Sequence, residues 1–543
     1  MAESKLAFGN SPRLQEPLVI AASARLPYIL LGAVVILYGA LILYLPFHSP
    51  PDIYNSPDEM ANAFFIRSVE QDGRLIRPTI QQNLPSVVFP RGVLRQDNAF
   101  IPVGFVSFPL LLGIIAKLTS FKGLFYLMAI LSALSLLAWY GFLHAFFGAR
   151  LALLTTFLTA GHPLVLYWSN RPLLPNALFF AFYFFAFYFF SRTFYRPDAG
   201  SSRNFYSILA GLVFGLAVAI RPQEGVWLAA VVLLVAVLFQ SRSWYPWMIF
   251  LITAALPVGG LLAAQKIIYG SASRTGYHLT PPSLTILQTL RRVVLPFGLN
   301  IKAIGAVSYS YWIDIIWCFT ILSILGLAIV LMYRNGTLLR RLRFWALVLF
   351  IVSAWLMVFY GSFAVQDRFD RTVSLGTSFT RYFLPIYVMA LPFVAYALFF
   401  LRRRFGKILV SAVVVVTVFL SMRAIFWGGD EGFIRIVKAL NDNKEVRAKA
   451  LQILPANAVI LTDRSDKIFF PEREIVSQFR KFHHPDFEKL YGLNLYYETI
   501  ADTDVVAFEN DNFWGPHRLK AQDPVDLGYR HKLYKLEELG SRK

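Results

Sequence analysis

A chain of 543 residues that is 57% hydrophobic and only 15% charged, with 50 Phe, 26 Tyr and 11 Trp, is too apolar for the surface of an ordinary soluble protein and points to a bilayer. Its net charge of +20 does not call for nucleic acid, because much of the basic excess stands in short loops beside apolar runs, where membrane topology accounts for it. The single cysteine, Cys318, lies inside an apolar run, which excludes an intramolecular disulfide and a cysteine-based zinc site.

Residues 1–25 form a basic tail with Lys5, Arg13 and Arg25, expected in the cytoplasm. The following run, 26–47, is too long and too weakly cleavable for a signal peptide and reads as a retained first helix. Further apolar segments lie at roughly 99–118, 124–147, 151–168, 173–191, 205–220, 224–240, 246–265, 308–333, 344–363, 382–401 and 407–427, each near the ~20 residues that span a hydrocarbon core. Basic loops at 192–203, at Arg242, at 334–343 and at Arg402-Arg403-Arg404 with Lys407 are expected inside. With the N-terminal tail inside as well, the alternation closes only if one early segment does not cross.

That segment is 99–118, which opens Phe-Ile-Pro-Val-Gly and holds Pro102, Gly104 and Pro109, residues that break a membrane helix or bend it back to the interface. Lys117 and Lys122 argue the other way, since they suit a cytoplasmic turn between two crossings. The expected fold is an α-helical polytopic membrane protein with about eleven transmembrane helices over residues 26–427 and a first outside loop at 48–123. After Trp427-Gly428-Gly429 the composition turns polar, and residues 428–543 read as a small extracytoplasmic soluble α/β domain. Its pattern predicts a helix over 433–454, a strand over 458–462 and a second β-like run at Asp504-Val-Val-Ala-Phe508.

The 48–98 stretch is longer than most connections, and long loops in compact proteins are usually functional or disordered. It carries Ser56-Pro57-Asp58-Glu59. Ser56 can cap a helix, Pro57 suits its first turn, and both acids favour the positive end of its dipole, so one reading is that they simply start a helix. The other is that an acid held at the membrane face deprotonates an acceptor hydroxyl while the rest of the site holds an anionic leaving group. Arg171, Arg221 and Arg381 stand at the expected outer ends of later helices, against the usual inward bias of arginine; they either bind a phosphate or carboxylate or snorkel to lipid headgroups. The loop with Lys266, Tyr269, Arg274, Thr275 and Tyr277 combines cations, hydroxyls and glycines suited to a headgroup or a sugar. His483-His484 reads as a solvated surface pair, and Asp463, Arg464 and Asp466 as a solvated turn after a strand, where binding residues can also lie. His-Glu-x-x-His, Gly-x-x-x-x-Gly-Lys and Gly-x-Ser-x-Gly are all missing, which argues against an ATPase or a serine hydrolase.

Four features in order, Ser-Pro-Asp58-Glu59, Tyr167-Trp-Ser-Asn-Arg171 running into Pro175-Asn176, Tyr269-Gly-Ser…Thr275-Gly-Tyr277 and Arg381-Tyr382-Phe-Leu-Pro385, resemble the lipid-dependent glycosyltransferases of the GT-C superfamily. The nearest likeness is to bacterial relatives of the protein O-mannosyltransferases and of the aminoarabinose transferase acting on lipid A. This resemblance implies juxtamembrane helices in the first outside loop. It implies transfer of a hexosyl or pentosyl group, typically with inversion, from a polyprenyl-phosphate donor at the outer face of the cytoplasmic membrane. The acceptor that the resemblance implies is a protein, a lipid or a polysaccharide of the cell envelope, and the sequence does not choose among them. Asp58 maps to the family's acid/base residue, with Glu59 its supporting neighbour, and the substrate-binding set is Arg171, Asn176, Arg221, Lys266, Arg274, Tyr277, Arg381 and Tyr382. Many relatives have Pro-Asp where this chain has Pro175-Asn176, and an amide is neither a second base nor a strong cation ligand, so no metal and no other cofactor is expected. The rival readings are a transporter or flippase of a lipid-linked saccharide, and a scaffold whose C-terminal domain binds envelope partners.

Overall fold

The computed structural model describes residues 17–195, 201–239, 244–276, 295, 297–333, 335–363, 373–477 and 479–539. Among the described residues eight helices are long and apolar enough to cross a membrane: Leu26–His48, Phe121–Phe147, Pro175–Tyr195, Ser202–Ile220, Tyr245–Tyr269, Thr337–Gly361, Leu384–Phe405 and Lys407–Trp427. Two bent pairs bring the number to 10 if each counts as one span: Ala149–Ala160 with Pro163–Ser169, at 58°, and Ile301–Asp314 with Trp317–Met332, at 101°. The remaining expected span, 224–240, is a 15-residue helix, Gly225–Phe239. The chain is a multi-pass membrane protein.

Segment 99–118 is not a single helix. Residues Ala99–Pro102 are a strand, and the helix begins at Ser107 and ends at Thr119, 13 residues or about 20 Å at 1.5 Å per residue, short of the ~30 Å hydrocarbon core. Pro102 ends the strand and Gly104 stands between the two elements, as the sequence leads one to expect. The 13-residue helix lies against Pro57–Asp72 so closely that a Cβ on Gly113 would meet Val69 Cβ at 2.4 Å.

Between those two helices runs a small antiparallel sheet of β1 (Arg77–Pro78), β2 (Val93–Gln96) and β3 (Ala99–Pro102) in the order β1-β3-β2. The C-terminal region opens with the predicted helix, Phe433–Ile453, and then builds a mixed sheet of β4 (Ala458–Thr462), β5 (Glu474–Ser477), β6 (Asn494–Thr499), β7 (Leu519–Ala521), β8 (Val525–Gly528) and β9 (His531–Glu538). Its order is β5-β4-β6-β9-β7, with β8 also on β9; β4 runs parallel to β5 and β6, and β9 is antiparallel to its neighbours. The β-like run Asp504–Phe508 is instead part of a helix, Thr503–Glu509. Only Val506 and Glu509, one helical turn apart, are buried, while Val505 and Phe508 face out, so burial follows the helical period over the β preference of the side chains.

The C-terminal sheet and the first loop share one core. Phe64 and Phe100 of the loop pack on Phe470, with centroids 4.8 and 5.4 Å away. Charged pairs ring that contact. Arg91 grips Asp466, Arg95 meets Glu474 at 3.3 Å, and Arg447 reaches Asp52 and Glu472. Asp466 is therefore not a solvated turn residue: it is fully buried and spends both oxygens on Arg91.

Arg95 and Glu474 have wholly buried side chains, and burial pushes the Glu474 carboxyl up even though Arg95 faces it. Such a pair costs energy to bury and costs more to break. Arg95→Met alone should destabilise the fold by about 3 kcal/mol, whereas Arg95→Met with Glu474→Met should recover most of that loss, read by thermal unfolding in detergent.

Candidate functional site

The site starts from a helix cap. Ser56 has extended backbone, its hydroxyl accepts from the Glu59 amide at 3.2 Å, and the Glu59 carboxylate accepts from the Ser56 amide at 3.1 Å. Glu59 is thus the residue that starts the helix. Asp58 takes no part in this box. Its carboxylate reaches outward from the first turn to Arg381, whose Nη1 donates to Asp58 Oδ2 at 3.0 Å.

Arg171 forks onto Glu59, with Nε at 2.8 Å from Oε1 and Nη2 at 2.7 Å from Oε2. Burial by itself would raise the Glu59 carboxyl, but the Arg171 charge, the fork and the Ser56 bonds together hold it below the ordinary carboxylate range. Arg171 follows the short helix Pro163–Ser169, whose bend brings Tyr167 and Trp168 into the site. Tyr167 accepts from Arg171 Nη1 at 3.3 Å and donates to Glu431 at 2.7 Å. Glu431 comes from the junction that follows the last apolar helix. It also meets Asn55 Nδ2 at 3.5 Å, and its carboxylate fills the space a Cβ on Gly376 would need. Lys467 of the C-terminal region donates to the Asn55 carbonyl; burial, and then the charge of Arg91, push its ammonium below the ordinary lysine range.

Arg381 sits on the five-residue helix Ser378–Tyr382, with its guanidinium carbon 5.8 Å from the Trp168 ring centre and 5.2 Å from that of Tyr382. Trp168 Nε1 donates to Thr380 Oγ1 at 3.0 Å, which fixes the helix against the site. Tyr382 stacks on Tyr360 at 4.2 Å and 6°. Tyr360 hydrogen-bonds Glu224, and Glu224 pairs with Arg221 at 2.9 Å; Arg221 also donates to Asn176 Oδ1 at 2.7 Å.

Asp58, Glu59, Arg171, Asn176, Arg221, Arg381 and Tyr382 thus belong to one connected set, Arg221 and Asn176 joining it through the two stacked tyrosines. Lys266 is exposed, and Arg274 turns onto the Tyr269 carbonyl at 3.4 Å. Lys266 belongs to the last turn of the Tyr245–Tyr269 helix and not to a loop, and the end of that helix lies against β3, where Tyr269 donates to the Pro102 carbonyl at 2.8 Å. Tyr277 lies outside the described residues. A cavity of about 270 Å³ opens on the far side of the Glu59–Arg171 pair, lined by both together with Tyr54, Asn55, Asn170 and Lys122 among apolar neighbours. Asp58, Arg221 and Arg381 do not line it. No three His, Cys, Asp or Glu side chains cluster as metal donors among the described residues.

Sequence reading passed over Glu224, Tyr360 and Glu431. Glu224 carried a signal, an acid three residues after Arg221 ahead of an apolar run, the spacing at which helical side chains meet. Glu431 and Tyr360 carried none, since their partners lie far away in the chain.

Residues 106–260 match the family model described as dolichyl-phosphate-mannose-protein mannosyltransferase. The matched stretch is under a third of the residues; it holds Arg171, Asn176, Arg221 and Glu224 but not Asp58 or Arg381. The apo oligosaccharyltransferase of Archaeoglobus fulgidus is 13% identical, with 89% of this chain and 70% of that one covered and a TM-score of 0.44. ArnT from Cupriavidus metallidurans in the apo state is 13% identical, with 95% and 98% covered and a TM-score of 0.49. The same protein bound to undecaprenyl phosphate gives 12%, 94%, 98% and 0.47. No curated protein sequence is significantly similar to the chain.

Because the Glu59 carboxyl titrates lower in the folded protein than in the unfolded one, its pairing stabilises fully above the ordinary glutamate value of 4.5. That contribution fades as the pH falls through the lowered folded value. Glu59→Gln should melt several degrees lower than the wild type at neutral pH, and the two melting temperatures should converge on acidification below that value, measured by thermal unfolding in detergent.

Proposed function

We propose that the chain is an inverting glycosyltransferase that moves a sugar from a polyprenyl-phosphate donor to an acceptor at the outer face of the cytoplasmic membrane. Residues 26–427 form its transferase part, and residues 428–543 lie on the outer side with the loop that bears Asp58. The observation that carries this reading is the direct contact of Asp58 with Arg381. A half-exposed carboxylate and a fixed guanidinium share one point, so a base for the acceptor and a cation for the leaving phosphate stand side by side. The matched family description, which names a dolichyl-phosphate sugar, supports the same donor chemistry.

In the proposed reaction the acceptor oxygen attacks the anomeric carbon from the face opposite the phosphate, and its proton passes to the Asp58 carboxylate. The bond from the anomeric carbon to the phosphate oxygen breaks, its electron pair stays on that oxygen, and the sugar is transferred with inversion. Arg381 neutralises the growing negative charge where water is scarce. Arg221 is assigned a different task. Its charge is already met by the fully buried Glu224, so it orients Asn176 and Tyr360 behind the site instead of binding phosphate. Glu59, locked by Arg171 and the helix cap, supports Asp58 and is not itself a base.

Reconstitution with labelled polyprenyl-phosphate sugars tests the proposal. Asp58→Asn should lower kcat by roughly 10²- to 10⁴-fold, the usual worth of a general base. Transfer at the normal rate by that variant removes Asp58 as the base, and a wild type that moves the lipid between leaflets without cleaving it is a transporter.

A further inference from the structure

Three arginines of this set are each paired with one acid, but only one pair has a carboxylate open to solvent. Glu59 is gripped by two bonds and its side chain is 10% exposed; Glu224 is 0% exposed; Asp58 is 48% exposed and makes a single 3.0 Å contact. On the other side of that contact Arg381 cannot follow a departing partner. It lies over the rings of Trp168 and Tyr382, and its helix is tied down through Thr380. Arg381 also has unused donor capacity, because its buried Nε meets no acceptor and its Nη2 reaches Ser378 and Tyr382 only at 3.4 Å each.

We propose that Arg381 is shared in turn by Asp58 and the lipid phosphate, so that arrival of the donor displaces Asp58 and releases it to act as the base. This rests on the lipid-phosphate reading of the site. A phosphate offers several oxygens to a planar fork that now holds one oxygen of Asp58, and it carries its charge into a partly buried place where two anions on one guanidinium repel each other. The anchored arginine stays and the exposed carboxylate turns away. While the site is empty, Asp58 lone pairs are engaged by a guanidinium and are poorly placed to take a proton from water or from an early acceptor. The sequence of events is therefore donor first, acceptor second.

The test is binding of undecaprenyl phosphate, which has no sugar to transfer, to full-length protein in detergent or nanodiscs. Removing the competitor should strengthen binding: Asp58→Asn and Asp58→Ala should each tighten Kd roughly three- to tenfold, the worth of one partly exposed charged hydrogen bond. Asp52→Asn, which removes an equal charge from the same loop beside Arg447, should leave Kd within twofold. The gain from Asp58→Asn should vanish in an Arg381→Gln background. If Asp58→Asn binds no more tightly than the wild type, or if its gain survives without Arg381, the sharing is wrong while the transferase reading stands. If the wild type binds no undecaprenyl phosphate, the donor-lipid reading falls and this one falls with it.

Discussion

The bidentate contact of Arg171 with Glu59 is the constraint around which the rest of the site is arranged. It joins a loop near the start of the chain to a turn more than a hundred residues later, and both charges are buried, so neither can leave without stranding the other. The same carboxylate closes the helix cap at Ser56. One residue therefore sets both where the Pro57–Asp72 helix begins and how it is turned, and Asp58, one position earlier, is left pointing at Arg381. Two adjacent acids of like chemistry acquire different surroundings because one is consumed by structure and the other is not.

The second organising fact is that the site is assembled from both sides of the last apolar helix. Glu431, Lys467, Asp466 and Arg447 all come from the polar C-terminal stretch, and all end on the loop that holds Asp58 or on the turn that holds Arg171. Phe470 adds an apolar anchor to the same contact. A stretch that reads in sequence as a separate soluble unit shares its core with the first loop, so the position of Asp58 depends on residues about four hundred positions away. Loops are mobile unless something holds them, and here the holding is done by buried ion pairs and a cluster of aromatic rings.

Charge compensation runs through the whole set. Each of Arg171, Arg221 and Arg381 has its own carboxylate, which compensates three guanidiniums of low exposure. The pairs differ in how much they can give up. Arg221 with Glu224 is closed on all sides and acts as framework, while Arg381 with Asp58 keeps one member at the surface. The difference lies in the surroundings of the acids, since the arginines are chemically identical.

The sequence alone determined what depends on local pattern and on the solvent. Apolar runs of spanning length fixed most of the helices, because the bilayer demands them. Pro102 and Gly104 marked the segment that does not form a span, and Ser56 with Glu59 wrote a helix start whose two bonds lie within four residues of each other. It also drew attention to Asp58, Arg171, Arg221 and Arg381, acids and cations in places where membrane proteins rarely keep them. Only the tertiary structure decided which arginine meets which acid, because Arg381 and Asp58 are 323 positions apart and no local rule pairs them. It alone turned Asp504–Phe508 into a helix, buried Asp466, put Lys266 at the exposed end of a helix, turned Arg274 onto a backbone carbonyl, and brought in Glu431 and Tyr360. These outcomes depend on what packs against a side chain, and burial is a property of the folded chain as a whole.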